Sequence, residues 1–124
     1  ATVLPIDLRQ PEAFGEVHLR GVVGIGSHLP LFSTWVGTLA EPHQRLLLIA
    51  ESQEQADQAW PDLARIGYEN VVGYTLTQPD EWKVQGLPLM DLPQLEVSCI
   101  DAWVQQDRTL LDVRTAGEWE RGAV

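Results

Sequence analysis

Short apolar runs and helical stripes alternate along this chain. Val3-Leu4-Pro5-Ile6-Asp7-Leu8-Arg9 reads as a strand ending in charge, and Gly21-Val22-Val23-Gly24-Ile25 as a second strand. Phe32, Trp35, Val36 and Leu39 then fall at i, i+3, i+4 and i+7, the stripe of an amphipathic helix beginning near Pro30. Leu46 to Ala50 is continuously apolar, as expected of a strand buried on both faces of a parallel sheet. The next helix carries Ala56, Ala59, Trp60, Leu63 and Ile66 on its inner face, with Gly67 placed to stop it. Pro61 lies inside that stripe and predicts a kink or a split. Val71 to Tyr74 is a further strand, and Asp80 to Gln85 a short helix around Trp82, punctuated by Gly86 and Pro88. Strands alternating with helices at these lengths predict an α/β fold with a mostly parallel central sheet.

After Pro93 the rhythm changes. Leu95 to Val97 reads as a short strand. Ser98 with Asp101 three residues on has the pattern of a capping box, opening a helix through Ile100, Trp103 and Val104. Thr109-Leu110-Leu111-Asp112-Val113-Arg114 is then a strand ending in charge, and it echoes the first one. A shift of 105 residues places Asp7 on Asp112, Leu8 on Val113, Arg9 on Arg114, Phe14 on Trp119 and Leu19 on Val124. Residues 1–91 are therefore read as one unit, and 92–124 as a linker with the opening of a second, similar unit. That second unit stops before its central strand, so the expected parent is a longer chain. The sheet edge left open is expected to be covered by the 95–97 strand or by a partner chain. Residues 109–124 alone should be poorly packed, swapped or dimer-forming. The tryptophans are expected to face a core, except Trp103 and Trp119 in the incomplete unit.

Composition narrows the function classes. Apolar residues make up 44% of the 124 and charged residues 21%, ordinary values for a chain that folds. Acids outnumber bases 18 to 8, and the resulting charge of −10 argues against nucleic acid and anionic membrane as partners. Small anions would also be repelled from any site without local basic residues. The apolar run at 46–50 is far too short to span a bilayer. A single cysteine, Cys99, excludes an internal disulfide and a multi-cysteine metal site, and points to a reducing, cytoplasmic setting. His18, His28 and His43 show no ligand spacing, so neither metal nor cofactor is expected.

The motifs in their order resemble the rhodanese-like family. Asp7-Leu8-Arg9, Phe14 and His18-Leu19-Arg20-Gly21-Val22 match its opening of Asp-x-Arg, an aromatic, then Gly-His-Ile-Pro-Gly-Ala. Ile66-Gly67-Tyr68-Glu69-Asn70-Val71 looks like its link into the last strand, and Trp82, Gly86, Leu87 and Pro88 like its closing helix and turn. The likeness covers residues 3–90 and recurs in 109–124. It implies a three-layer α/β/α fold around a central parallel sheet. Tandem units of this kind look like those fused to metallo-β-lactamase-fold hydrolases.

The departure from the family lies at its centre. Active relatives place a cysteine directly after the buried strand, in a loop of roughly Cys-x-x-Gly-x-Arg-Ser, because sulfur transfer needs a thiolate to attack the donor and hold the sulfur. Here the stretch reads Ile49-Ala50-Glu51-Ser52-Gln53-Glu54-Gln55-Ala56, with the cysteine slot at Ala50 or Glu51. Residues 46–64 carry four acids and no base, so Glu51 and Glu54 stand where an anion should bind. The expected function is a non-catalytic structural or docking module of a larger sulfur-metabolism protein, with the other domains of that protein as partners and a homodimer through the truncated repeat as a further expectation. The alternative is a hydrolase or phosphatase-like enzyme using Glu51 or Ser52. Against it, Ser52 reads as a helix cap, His18 as a hydrogen-bonded structural residue, Asp7 with Arg9 as an ion pair at a strand end, and Cys99 as an incidental thiol outside the loop.

Overall fold

The computed structural model describes residues 2–122, and Val124, the match of Leu19 under the 105-residue shift, lies outside them. By contact, the chain separates into two compact units, Ala1–Pro93 and Gln94–Val124.

In the first unit the apolar run becomes β4 (Arg45–Ala50), flanked in parallel by β1 (Val3–Asp7) and β5 (Val71–Leu76). A short β3 (Val23–Gly24) adds to the far side of β1, giving the order β3-β1-β4-β5. Register pairs Ile6 with Leu48 and Asp7 with Ile49. Alternation then sends Leu46, Leu48 and Ala50 to one face and Ile49 to the other, and all four are buried. The first face packs on α2 (Phe32–Leu39) and α3 (Gln53–Arg65), through Phe32 and Val36 of the one and Ala56, Ala59 and Leu63 of the other. Helices α1 (Pro11–Glu16) and α4 (Pro79–Val84) complete the unit, α4 burying Trp82. The fold is α/β, a central parallel sheet flanked by helices.

The helix stripes are narrower than the sequence pattern suggests. Phe32, Val36 and Ala40 form the row at i, i+4, i+8 that meets the sheet, and Trp35 and Leu39 remain half-exposed beside it. In α3, likewise, Trp60 and Ile66 stay partly exposed while Ala56, Ala59 and Leu63 are buried. Neither Trp35 nor Trp60 therefore faces a core. Pro61 does not break α3, which runs through it. The proline is exposed, and the buried Ala59 and Leu63 on either side hold the helix to the sheet. Gly67, with φ +97°, ends α3 in the left-handed conformation; the Tyr68 N–H bonds Leu63 O at 3.0 Å and the Gly67 N–H bonds Ala64 O at 3.1 Å. The buried Tyr68 then donates its hydroxyl to Ala40 O at 2.8 Å, joining the turn to the end of α2. A two-stranded antiparallel ribbon pairs β2 (His18–Leu19) with β6 (Leu89–Met90), and no pattern in the sequence signals it.

The second unit departs further from expectation. Residues 95–97 form no strand, so no such strand covers a sheet edge; Val97–Cys99 is a 3₁₀ turn leading into α5 (Ile100–Val104). Ser98 and Asp101 make no capping box, since Cys99 holds the cap position without a side-chain bond. Among the described residues, 109–114 form no strand, because a strand needs a neighbour for its backbone groups and the unit supplies none. A reciprocal box forms instead at α6 (Ala116–Glu120), where Thr115 N–H donates to Glu118 Oε2 at 2.9 Å and Glu118 N–H to Thr115 Oγ1 at 3.3 Å.

At the end of β1, Arg9 is 5% exposed and Asp7 fully buried. Arg9 Nε donates to Asp7 Oδ1 at 2.9 Å, and Nη2 to Asp7 Oδ2 at 2.8 Å and to Val17 O at 2.7 Å. Its guanidinium lies 5.8 Å from the centre of the Trp82 ring. Removing the carboxylate strands a buried cation, so Asp7→Ala is expected to cost about 3–5 kcal/mol in urea unfolding. The double change Asp7→Ala with Arg9→Leu should recover part of that loss. A cost below about 1 kcal/mol would show the pair to be dispensable.

Candidate functional site

The loop singled out by the sequence lies at the C-terminal end of β4, where open α/β sheets place their ligands. Ala50 is fully buried and belongs to the core with Leu46 and Leu48. Glu51 is exposed and borders an open hollow of about 380 Å³ whose walls include Ser27, His28, Ser52, Glu54 and Asp62. No Lys or Arg lines it, among the described residues. Asp62 is ion-paired with Arg65, and the other two carboxylates of the lining, Glu51 and Glu54, oppose anion entry.

Ser52 caps α3, its Oγ accepting from Gln55 N at 3.2 Å, and Gln53 opens the helix. The Gln55 carboxamide turns back over the loop, accepting from Glu51 N–H at 2.8 Å and donating to Leu8 O at 3.2 Å. The sequence places Gln55 in the loop but carries no sign of this bridge, which spans 47 residues. His18 is engaged elsewhere: its Nδ1 is 2.8 Å from Phe14 O and its ring stacks on Phe14 at 3.8 Å. The hydrogen bonds that hold Ser52 and His18 thus lead to different partners, and no base is offered to Ser52 by them. Cys99 is exposed in the 3₁₀ turn of the second unit. Among the described residues, no group of three or more His, Cys, Asp or Glu could hold a metal ion.

The second unit repeats the clamp of the first. Arg114 Nε donates to Asp112 Oδ1 at 2.9 Å, and Nη2 to Asp112 Oδ2 and to Gly122 O, both at 2.7 Å. Gly122 corresponds to Val17 under the same 105-residue shift. Trp119, the counterpart of Phe14, falls in α6.

The Rhodanese_3-like domain of the Alr3790 protein from Anabaena sp. has a similar structure, with a TM-score of 0.65 and 18% identity over 77% of this chain and 99% of that one. The fold is rhodanese-like. A rhodanese with anions from E. coli is similar at a TM-score of 0.50, with 19% identity over 73% of this chain and 99% of that one. A metallo-β-lactamase from Staphylococcus aureus shares 31% identity over 60% of this chain at a TM-score of 0.56, and only 22% of its own length is spanned. No protein-family model matches the chain. No curated protein matches it. Within this rhodanese-like fold, no helix among the described residues is long and apolar enough to cross a membrane.

The hydrogen bonds from Arg114 hold the Asp112 carboxyl down, from an ordinary 3.8 to about 2. A lowered carboxylate pKa means that the clamp contributes fully above pH 4 and is lost as pH falls towards 2. A carboxyl-detected titration should place the Asp112 midpoint near 2 in the wild type. In Arg114→Ala it should return to about 4. A wild-type midpoint near 4 would mean that the clamp does not form in solution.

Proposed function

We propose that this chain is a non-catalytic rhodanese-like module, a structural or docking domain within a larger sulfur-metabolism protein. The supporting observation is the state of the turn after β4. Whichever of Ala50 and Glu51 stands in the nucleophile's slot, neither offers a thiol, and the Glu51 amide, a donor that could serve an anion, is already bonded to Gln55. The acidic lining of the hollow adds a second obstacle to anionic sulfur donors. Catalysis belongs, on this reading, to other domains of the parent, and the partial match to a longer metallo-β-lactamase favours a fusion with a hydrolase of that fold. The repeated Asp-x-Arg clamp favours a tandem arrangement, with 94–124 as the start of a second rhodanese-like unit. A cytoplasmic setting accords with the single exposed thiol.

The experiment is direct. With thiosulfate and cyanide, or with a phosphate ester, turnover should not exceed that of protein-free buffer. Turnover abolished by Glu51→Ala or Ser52→Ala would overturn the reading and establish a hydrolase or phosphatase-like enzyme in its place.

The partners we propose are the other domains of the parent and a second copy of the chain. Leu111 and Val113 are 78% and 86% exposed, whereas their counterparts Ile6 and Leu8 are fully buried. Sedimentation velocity should find concentration-dependent dimers of the chain, lost in the double variant Leu111→Asp with Val113→Asp. Equal sedimentation of both proteins as monomers would remove the homodimer.

A further inference from the structure

In the order β3-β1-β4-β5 the chain leaves β1 in one direction to form β3, then crosses to the other side of β1 to form β4. The topological switch point therefore falls between β1 and β4, and the crevice outside their C-terminal ends is the place where such sheets accept a ligand. Two backbone groups face each other there: the Glu51 N–H that follows β4 and the Leu8 carbonyl that follows β1. Both are engaged by one side chain, Gln55, at 2.8 and 3.2 Å. The Leu8 carbonyl also accepts from Ser27 N–H at 3.1 Å, so the bridge ties in the loop that follows β3. Ser52 completes the arrangement by capping the Gln55 backbone N–H at 3.2 Å, which fixes the base of the side chain.

We propose that the Gln55 carboxamide is a built-in latch at the switch point: it engages from within the donor and the acceptor that a ligand would otherwise meet. A carboxamide suits the task because it accepts through one atom and donates through the other, as an N–H facing a C=O requires. A carboxylate at this position would set an oxygen against the Leu8 carbonyl, and a basic side chain would offer nothing to Glu51. The latch is a contact within the first unit alone. It does not depend on the parent being a fusion protein, and the turnover assay and the experiment below can fail independently.

Solvent-exchange NMR on the full chain tests it. Although Glu51 lies at the surface, its amide should exchange slowly, and the ratio of its exchange rate to that of the core amide of Leu48 should rise about tenfold in Gln55→Ala, the effect of losing one net hydrogen bond. Alanine favours helix more than glutamine does, so a frayed α3 would not produce that change. Gln58→Ala, which removes the neighbouring contact to Glu54, should leave the ratio as it is. Free exchange of the Glu51 amide in the wild type, or an unaltered ratio in Gln55→Ala, would overturn the latch.

Discussion

The first unit is organised by the parallel pairing of β1 with β4. β4 is apolar throughout after Arg45 and buried on both faces, so it can only be central, and β1 must lie beside it in the register that sets Asp7 against Ile49. That register brings the C-terminal ends of the two strands level. The features that bear on function gather at those ends: the Asp7–Arg9 clamp, the Glu51–Ser52 turn and the Gln55 bridge. A site is thus present in the geometric sense, but its Glu51 N–H and Leu8 carbonyl are engaged from within.

Two kinds of barrier act there, and they differ in range. The bridge works over a single hydrogen-bond length and holds one donor and one acceptor. The carboxylates of Glu51 and Glu54 act over several ångströms, and no Lys or Arg lies in the lining, while the third, Asp62, is paired with Arg65. On the proposed reading, Ala50 or Glu51 in the nucleophile's slot removes the nucleophile alone, whereas the bridge and the acids would hinder binding even of a substrate that needed none. The three features are chemically independent and point the same way. That agreement, more than any one of them, supports reading the unit as a module kept for its surface.

Much of the fold was legible in the sequence because it rests on strong local signals. A five-residue apolar run marks β4, Gly67 ends α3, and Ser52 starts it. What was misread depends on neighbours that a pattern cannot supply. Trp35, Trp60 and Ile66 fit a helical stripe, but burial reaches only the i, i+4 row of α2 and Ala56, Ala59 and Leu63 of α3. Proline breaks helices in isolation; here Pro61 is exposed and the buried Ala59 and Leu63 hold both flanks. The two-residue strands β2 and β6 are too short to leave any period. Of the site, the loop and its acids could be named from the sequence, while the Gln55 bridge could not. Its acceptor, Leu8 O, is a main-chain atom 47 residues away, and a backbone carbonyl has no residue type to recognise.

The repeated Asp-x-Arg stretch separates what is local from what is not. Within each unit the clamp joins residues only two and eight positions apart, and it forms with nearly the same distances whether buried at Arg9 or exposed at Arg114. The strand that carries it behaves differently. Residues 3–7 pair with β4, and Ile6 and Asp7 with β3 as well, while their counterparts 108–112 form no strand among the described residues. The motif therefore encodes a turn held by its own charges, and strand character comes from partners far away in the chain. It follows that finding Asp-x-Arg in a sequence identifies a preformed corner of this fold, and that whether a sheet grows from that corner is decided by the apolar strand that follows some 40 residues later, as Leu46–Ala50 does for the first unit.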